Sequence, residues 1–335
     1  MGVTIGVVGL GRIGAFHTET LSTLAGVDGL VVTDERPAVT ESVAAKFDAK
    51  AVDSADALLK SGVDGVVVAA ATPAHASLVL ACVDAGIPVF CEKPLAATPG
   101  ESLAVVQAIE SSDVQVQIGY NRRFAPAFAA AKTAVDAGEL GWLHTVRSTT
   151  LDPAPPPLDY VAVSGGIFRD CSVHDFDIVR WIVGHEVAEV YAAGSNQGDP
   201  AFTEYGDVDT ATATLTFENG TIGVVSNTRY NARGYDCRLE VHGSADAVVA
   251  GWDEQVPVRN LEAAATFPNG TPHSFFMDRF TSAYQVELGA FVDMAAGRIE
   301  SPCTASDALE VAYIAEAATL SLQQHRPVRI DEVRL

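Results

Sequence analysis

The sequence predicts an α/β chain in two parts, a parallel-sheet domain over residues 1–120 and an α+β domain over residues 121–335. Three observations predict it. Short apolar runs alternate with helical patterns through the first 120 residues, the rhythm of βαβ units. Those runs are nearly continuous in Val and Ile, as strands covered on both faces must be. After Tyr120 small or polar residues alternate with apolar ones, the mark of an antiparallel sheet with one face on a core.

Each element follows from local pattern. Residues 3–9 (VTIGVVG) read as a buried strand, with a helix over 12–24 directly behind it. A strand at 29–33 and a helix at 38–47 come next. Strands at 63–70, 88–91 and 114–119 are separated by helices at 75–85 and 99–111. In the second part, 126–137 reads as a helix and 142–150 as a strand, before a proline-rich loop at 152–157 (DPAPPP). Helical periodicity runs over 170–183, and strand patterns dominate 187–249. Asn219-Gly220, between two of those strands, signals a hairpin. Helices over 274–296 and 306–323 complete the pattern.

Composition narrows the function. Apolar residues make up 48% of 335, enough for substantial cores and too many for a disordered chain. The balance of 21 basic to 43 acidic residues gives a formal charge of −22, which repels nucleic acid and anionic membranes. No apolar run reaches the ~18 residues of a membrane span, and no basic leader precedes the strand at Val3. Neither a nucleic-acid nor a membrane partner is expected. Cys82, Cys91, Cys171, Cys237 and Cys303 form no CxxC and fit reduced thiols, so a cytoplasmic location is expected. No metal site is expected, because no ligand set stands at recognisable spacing.

Three motifs carry chemistry. Gly9-Leu10-Gly11-Arg12-Ile13-Gly14 matches G-x-G-x-x-G, between an apolar strand and the start of a helix. Gly9 permits the tight turn, Gly11 lets the backbone approach a pyrophosphate, and Gly14 lets helix and strand pack closely. The helix N-terminus offers free N–H groups and a partial positive charge to the phosphates. Asp34, at the end of the second strand, suits the adenosine ribose hydroxyls and repels a 2′-phosphate, which favours NAD over NADP. Arg12 and Arg36 weigh the other way, since either could meet a 2′-phosphate.

Glu92-Lys93-Pro94 ends a strand, on the side of an open α/β sheet where ligands bind. Lysine is scarce here, with only Lys46, Lys50, Lys60, Lys93 and Lys132 in the chain. Pro94 restricts Lys93 to extended geometry or a cis bond. Asp170 and His174 are four residues apart and would share one helical face, with Asp177 continuing it. A His near its ordinary pKa, or a Lys lowered by its surroundings, can accept the proton that an alcohol loses on dehydrogenation.

Taken together, G-L-G-R-I-G, E-K-P and S-G-G-I-F-R-D-C-S-V-H-D-F-D resemble the Gfo/Idh/MocA family of nicotinamide oxidoreductases. The runs I-G-Y-N-R-R-F (118–124), D-P-A-P-P-P, G-Y-D (234–236) and D-R-F-T-S-A-Y (278–284) are most similar to its inositol-oxidising members. The resemblance covers essentially the whole chain. It implies a Rossmann domain followed by an α+β domain with an open, mostly antiparallel sheet that makes dimer or tetramer contacts. It implies NAD as cofactor and a small polyol or sugar as substrate, first of all myo-inositol, oxidised to 2-keto-myo-inositol (scyllo-inosose). Scyllo-inositol, an aldose or another sugar is the alternative. A non-catalytic NAD-sensing regulator on the same fold could lose the trio that follows and still bind dinucleotide, and here all three residues are present.

By the same resemblance Lys93, Asp170 and His174 are the catalytic trio. Thr72, Pro73, His75, Glu92 and Lys93 itself fall on the nicotinamide side, among the cofactor-binding residues. Asn121, Arg122, Asp152, Tyr235 and Tyr284 fall where substrate hydroxyls are held, beside Lys93, Asp170 and His174. Ala125, Leu151 and Arg233 depart from the family pattern, where an acidic, a basic and an aromatic residue are common. The last two flank the presumed substrate loops and leave the substrate open.

Overall fold

The structure is a computed structural model and describes residues 2–335. Its first sheet is built from the apolar runs. Strands β1 (Val3–Val8), β2 (Val27–Thr33), β3 (Lys50–Ala51), β4 (Gly65–Val68), β5 (Val89–Glu92) and β6 (Val116–Gly119) pair in the order β3-β2-β1-β4-β5-β6. Every pairing is parallel. Helices α1 (Arg12–Thr23), α2 (Pro37–Phe47), α3 (Ala55–Leu59), α4 (Thr72–Asp84) and α5 (Pro99–Glu110) lie between successive strands. The order reverses between β1 and β4, and a dinucleotide binds outside the strand ends at such a reversal. Strand β3 and helix α3 were not expected. Both residues of β3 are exposed, so no apolar run marks it.

The chain then builds α6 (Pro126–Asp136), β7 (Leu143–Leu151), α7 (Leu158–Val161), α8 (Ile167–Asp170), α9 (Val173–Val183) and β8 (Val187–Ser195). After these come α10 (Ala201–Glu204), β9 (Thr210–Phe217), β10 (Ile222–Thr228), β11 (Asp236–Gly243) and β12 (Ala247–Ala250). It ends with α11 (Phe276–Arg279), α12 (Thr281–Ala295), α13 (Ala305–Gln324) and β13 (Val328–Arg329). The second sheet runs β12-β11-β7-β10-β9-β8-β13, antiparallel except for β10 with β7. The hairpin at Asn219-Gly220 joins β9 to β10, with Gly220 at φ +85°.

By internal contacts the chain divides into two units. One is Met1–Asn121 with Ser282–Glu310 and Leu335, and the other is Arg122–Thr281 with Val311–Arg334. A single cut at 120/121 therefore misses a return of the chain to the first unit. That return has a local cause. A Cβ on Gly65 would lie 2.9 Å from Ala295 and 3.0 Å from Phe291, so the bare glycine lets α12 seat against β4. Leu288, Phe291, Val292 and Met294 of α12 join Ile5, Val7, Val32, Val67 and Phe90 in one buried core. Each such side chain contributes roughly 1.5–3 kcal/mol of burial. The single helix expected over 274–296 is in fact two, α11 and α12, interrupted at Phe280.

In the second unit α9 packs on β7 and β10. Its Phe176, Ile178, Val179 and Ile182 are buried, as are Val146, Leu215, Val225, Leu239 and Val241 of the sheet. Sheet residues of the alternate set, such as Arg147, Tyr191, Thr212 and Thr214, are exposed.

Candidate functional site

The turn from β1 to α1 is held tightly around one open position. Gly9 sits at φ +87°, and a Cβ on it would meet the Ala70 backbone at 2.5 Å. A Cβ on Gly14 would lie 1.8 Å from the Gly9 carbonyl oxygen. At Gly11, the N-cap of α1, a Cβ would meet nothing within 4 Å. The fold itself therefore requires glycine at 9 and 14, while the bare backbone at 11 leaves room for something from outside. A pyrophosphate against the α1 N-terminus fits that space and the partial positive charge there. Arg12 and Ile13 open the helix, Arg12 exposed and Ile13 half-buried.

Asp34 closes this turn from the end of β2. Its Oδ2 accepts the Leu10 backbone N–H at 2.7 Å. Its Oδ1 accepts the backbone N–H and the Nε–H of Arg36, at 3.0 and 2.9 Å. Hydrogen bonding from Arg36 is the largest influence on this carboxyl and, against the opposing effect of burial, holds it at about 2. Asp34 thus shapes the loop as well as presenting a carboxylate, and Arg36 stands beside it, largely exposed.

At the end of β5 the peptide Lys93-Pro94 is cis. Glu92 accepts the Lys93 N–H through Oε2 at 3.3 Å. Its Oε1 lies 2.6 Å from Nε2 of His17, a fully buried residue of α1. The helix that opens on the glycine turn is thereby tied to the strand that presents Lys93. His17 was not among the expected site residues; no motif marks it, and it is buried on α1 together with Thr18, Thr20 and Leu21. His75 is also buried, with Nδ1 2.7 Å from the Pro94 carbonyl and Nε2 3.0 Å from the Ala70 carbonyl. It braces the loops after β4 and β5, with Thr72 and Pro73 in the first turn of α4. Tyr284, expected among the substrate residues, lies in the first unit and packs edge-on to Phe16 and tilted against His17.

In the second unit the helix expected over 170–183 is broken. Asp170 ends α8 and His174 is the second residue of α9. The His174 N–H bonds to the Cys171 carbonyl, three residues back, so the two side chains do not sit on one regular α-turn. What fixes Asp170 is a cluster that sequence reasoning missed. Arg229, 4% exposed just beyond β10, donates from Nη2 to Asp170 Oδ2 at 2.7 Å and from Nη1 to Asp152 Oδ2 at 2.9 Å. The Tyr160 hydroxyl donates to Asp170 Oδ1 at 2.8 Å. Asp207 accepts the Ile167 N–H at 2.9 Å and so anchors the start of α8. Burial pushes the Asp152 carboxyl up, and Arg229 opposes it.

The remaining expected residues are deeper than their motifs suggested. Asn121 and Arg122 are buried at 3% and 2% exposure. Arg122 Nη1 donates to Asp175 Oδ1 at 2.7 Å. Asp175 also accepts from Ser148, Thr150 and Asn227. As placed, the Arg122 guanidinium completes a buried network beneath α9. Arg123 likewise pairs with the buried Asp177. Tyr235 is 4% exposed, and burial pushes its phenol well above its ordinary value.

The glycine turn at a helix N-terminus, on the reversal of a parallel six-stranded sheet, defines a dinucleotide-binding α/β protein. Residues 3–120 match the oxidoreductase family with an NAD-binding Rossmann fold, and residues 128–249 match the GFO/IDH/MocA C-terminal domain. The chain belongs to the GFO/IDH/MocA oxidoreductases. It is 37% identical to a myo-inositol 2-dehydrogenase of Thermotoga maritima, over 98% of this chain and 99% of that one. It is 35% identical to an inositol 2-dehydrogenase of Rhizobium meliloti, over 98% and 100%. A crystal structure of scyllo-inositol dehydrogenase from Lactobacillus casei, with bound NAD(H) and scyllo-inositol, superposes with a TM-score of 0.89 at 27% identity, covering 99% of this chain and 100% of that one.

Proposed function

We propose that the chain is an NAD-dependent dehydrogenase that oxidises a secondary hydroxyl of a cyclitol, with myo-inositol converted to 2-keto-myo-inositol as the first reaction to test. The observation that carries it is the near full-length likeness to enzymes named for inositols, in a chain that retains Lys93, Asp170 and His174. Gly9, Gly11, Gly14 and the α1 N-terminus would hold the dinucleotide phosphates, and Asp34 its adenosine ribose. Bound NAD supplies the acceptor for the hydride that leaves the carbinol carbon. Lys93 and His174 take up and pass on the hydroxyl proton. Asp170 and Asp152 accept hydrogen bonds from neighbouring hydroxyls, which rewards a polyol that pairs each of them.

The test is NADH formation from myo-inositol, scyllo-inositol and an aldose panel, with NAD and NADP in parallel. Turnover of an inositol with NAD is expected. Turnover of aldoses alone would move the substrate to the sugars and direct attention to Leu151 and Arg233. We also propose a homo-oligomer, dimer or tetramer, in a reducing cytoplasm. The exposed sheet face carrying Arg147, Tyr191, Thr212 and Thr214 supports the first, and five buried cysteines with no CxxC among them support the second. Light scattering on the purified chain tests the oligomer.

A further inference from the structure

We propose that Arg229 is a positioning residue for this reaction, one guanidinium that sets Asp152 and Asp170 side by side as a pair for adjacent hydroxyls of the polyol. The inference rests on the function proposed above and deepens it. Asp152 follows β7 and Asp170 ends α8, two elements with α7 between them in the chain. Arg229 links the two carboxylates directly, because its two terminal nitrogens reach one each, at 2.9 and 2.7 Å. The guanidinium fork is planar and rigid, and a lysine ammonium lacks that shape. The arginine side chain is only 5% exposed, so it cannot swing between alternative partners in water. Tyr160 takes the second oxygen of Asp170, which fixes the rotation of that carboxylate as well as its place. Without Arg229, two carboxylates would face each other partly out of water, each disfavouring the charge of the other.

Two variants test this, Arg229→Lys and Arg229→Gln. In turnover, both should lose at least tenfold in kcat or in KM for the polyol, while KM for NAD stays within twofold. Wild-type kcat and polyol KM in Arg229→Lys would overturn the proposal. A second measurement does not depend on the substrate. The carboxyl 13C titration of Asp152 is followed by NMR in the protein without ligands, assigned through Asp152→Asn. Asp152 also faces Asp170, Arg122, Cys171 and Tyr235. Burial raises the thiol of Cys171 and the phenol of Tyr235, which leaves Arg229 and Arg122 as the cations that lower it. In Arg229→Gln the Asp152 midpoint should rise by about one unit or more, as expected when a cation within contact distance is lost. An unmoved midpoint would overturn the proposal. If Arg229→Gln does not fold, Arg229→Lys decides through its kinetics. If the wild type turns over no polyol, the proposed function falls while the titration still decides the place of Arg229.

Discussion

Asp34 Oδ2 accepts the backbone N–H of Leu10 at 2.7 Å, so the carboxylate that ends β2 also braces the glycine turn that ends β1. On the proposed function, cofactor selection and loop shape meet in one side chain. Asp34→Ala should therefore raise KM for NAD by roughly 10–100-fold, since hydrogen bonds to a charged group contribute about 1.5–3 kcal/mol. KM from initial rates at saturating polyol checks it. An unchanged value would remove Asp34 from the cofactor site.

The same carboxyl predicts an acid limb in stability. Arg36 is the chief cause that holds it at about 2, below its ordinary 3.8. A carboxyl depressed in the folded chain takes its proton later than in the unfolded chain, so the native state binds fewer protons between those values. Its stabilisation is complete above the ordinary value and is lost as pH falls through the folded one. The Tm of the wild type should fall more steeply than that of Asp34→Asn over that window. Parallel curves would show that Arg36 adds nothing to stability there.

Lys93→Ala should reduce kcat by ~10²-fold or more if the amine handles the hydroxyl proton, the usual contribution of a general acid–base group. KM for NAD should change less than kcat, because the proposed function puts the phosphates at the glycine turn. Single-turnover rates at several pH values separate proton transfer from release. Near-normal turnover would take Lys93 out of the acid–base role.

Arg122 and Asp175 form a buried ion pair, and their prediction concerns stability. Asp175→Ala leaves a guanidinium buried beside Ser148, Thr150 and Asn227 without its carboxylate. That should cost about 3–5 kcal/mol, the usual penalty for removing one partner of a buried pair. The double variant Arg122→Met/Asp175→Asn should recover part of it, because no unpaired charge then remains. Urea unfolding of the three proteins gives the comparison. A single variant as stable as the wild type would mean that the pair is not desolvated as described.

The contrast between Arg122 and Lys93 shows where sequence reasoning reached its limit. The strands β1, β4 and β5 were legible because burial on both faces demands unbroken apolar runs, and the glycine motif because its spacing follows from a turn. Burial of a charge leaves no such pattern. N-R-R-F reads the same whether its arginines face a ligand or a buried aspartate such as Asp175 or Asp177. Arg229 carries no motif at all, and its meaning depends on β7, α8 and β10 meeting in space. The break between Asp170 and His174 was hidden because no Gly or Pro marks it, although Asp, Cys, Ser, Val and His are all weak helix formers, and the seating of α12 beside β4 depends on a glycine more than two hundred residues away.

Gly11 and Gly14 allow the cofactor reading to be separated from folding. A methyl at 14 would collide with the Gly9 carbonyl oxygen at 1.8 Å, a backbone atom that can retreat only if α1 shifts. Gly14→Ala should therefore lower stability by about 1–3 kcal/mol, the usual cost of overpacking, and lose NAD binding along with it. A methyl at 11 meets no atom of the described residues within 4 Å beyond its own neighbours in the chain. Gly11→Ala should melt like the wild type yet bind NAD at least tenfold more weakly, because the methyl would occupy the space that a pyrophosphate needs above the helix N-terminus. Thermal melting and NAD titration of the unliganded proteins give both readings. Wild-type NAD affinity in a normally folded Gly11→Ala would mean that the phosphates do not approach α1 at this turn, and the assignment of Gly9, Gly11 and Gly14 to the cofactor would have to be abandoned.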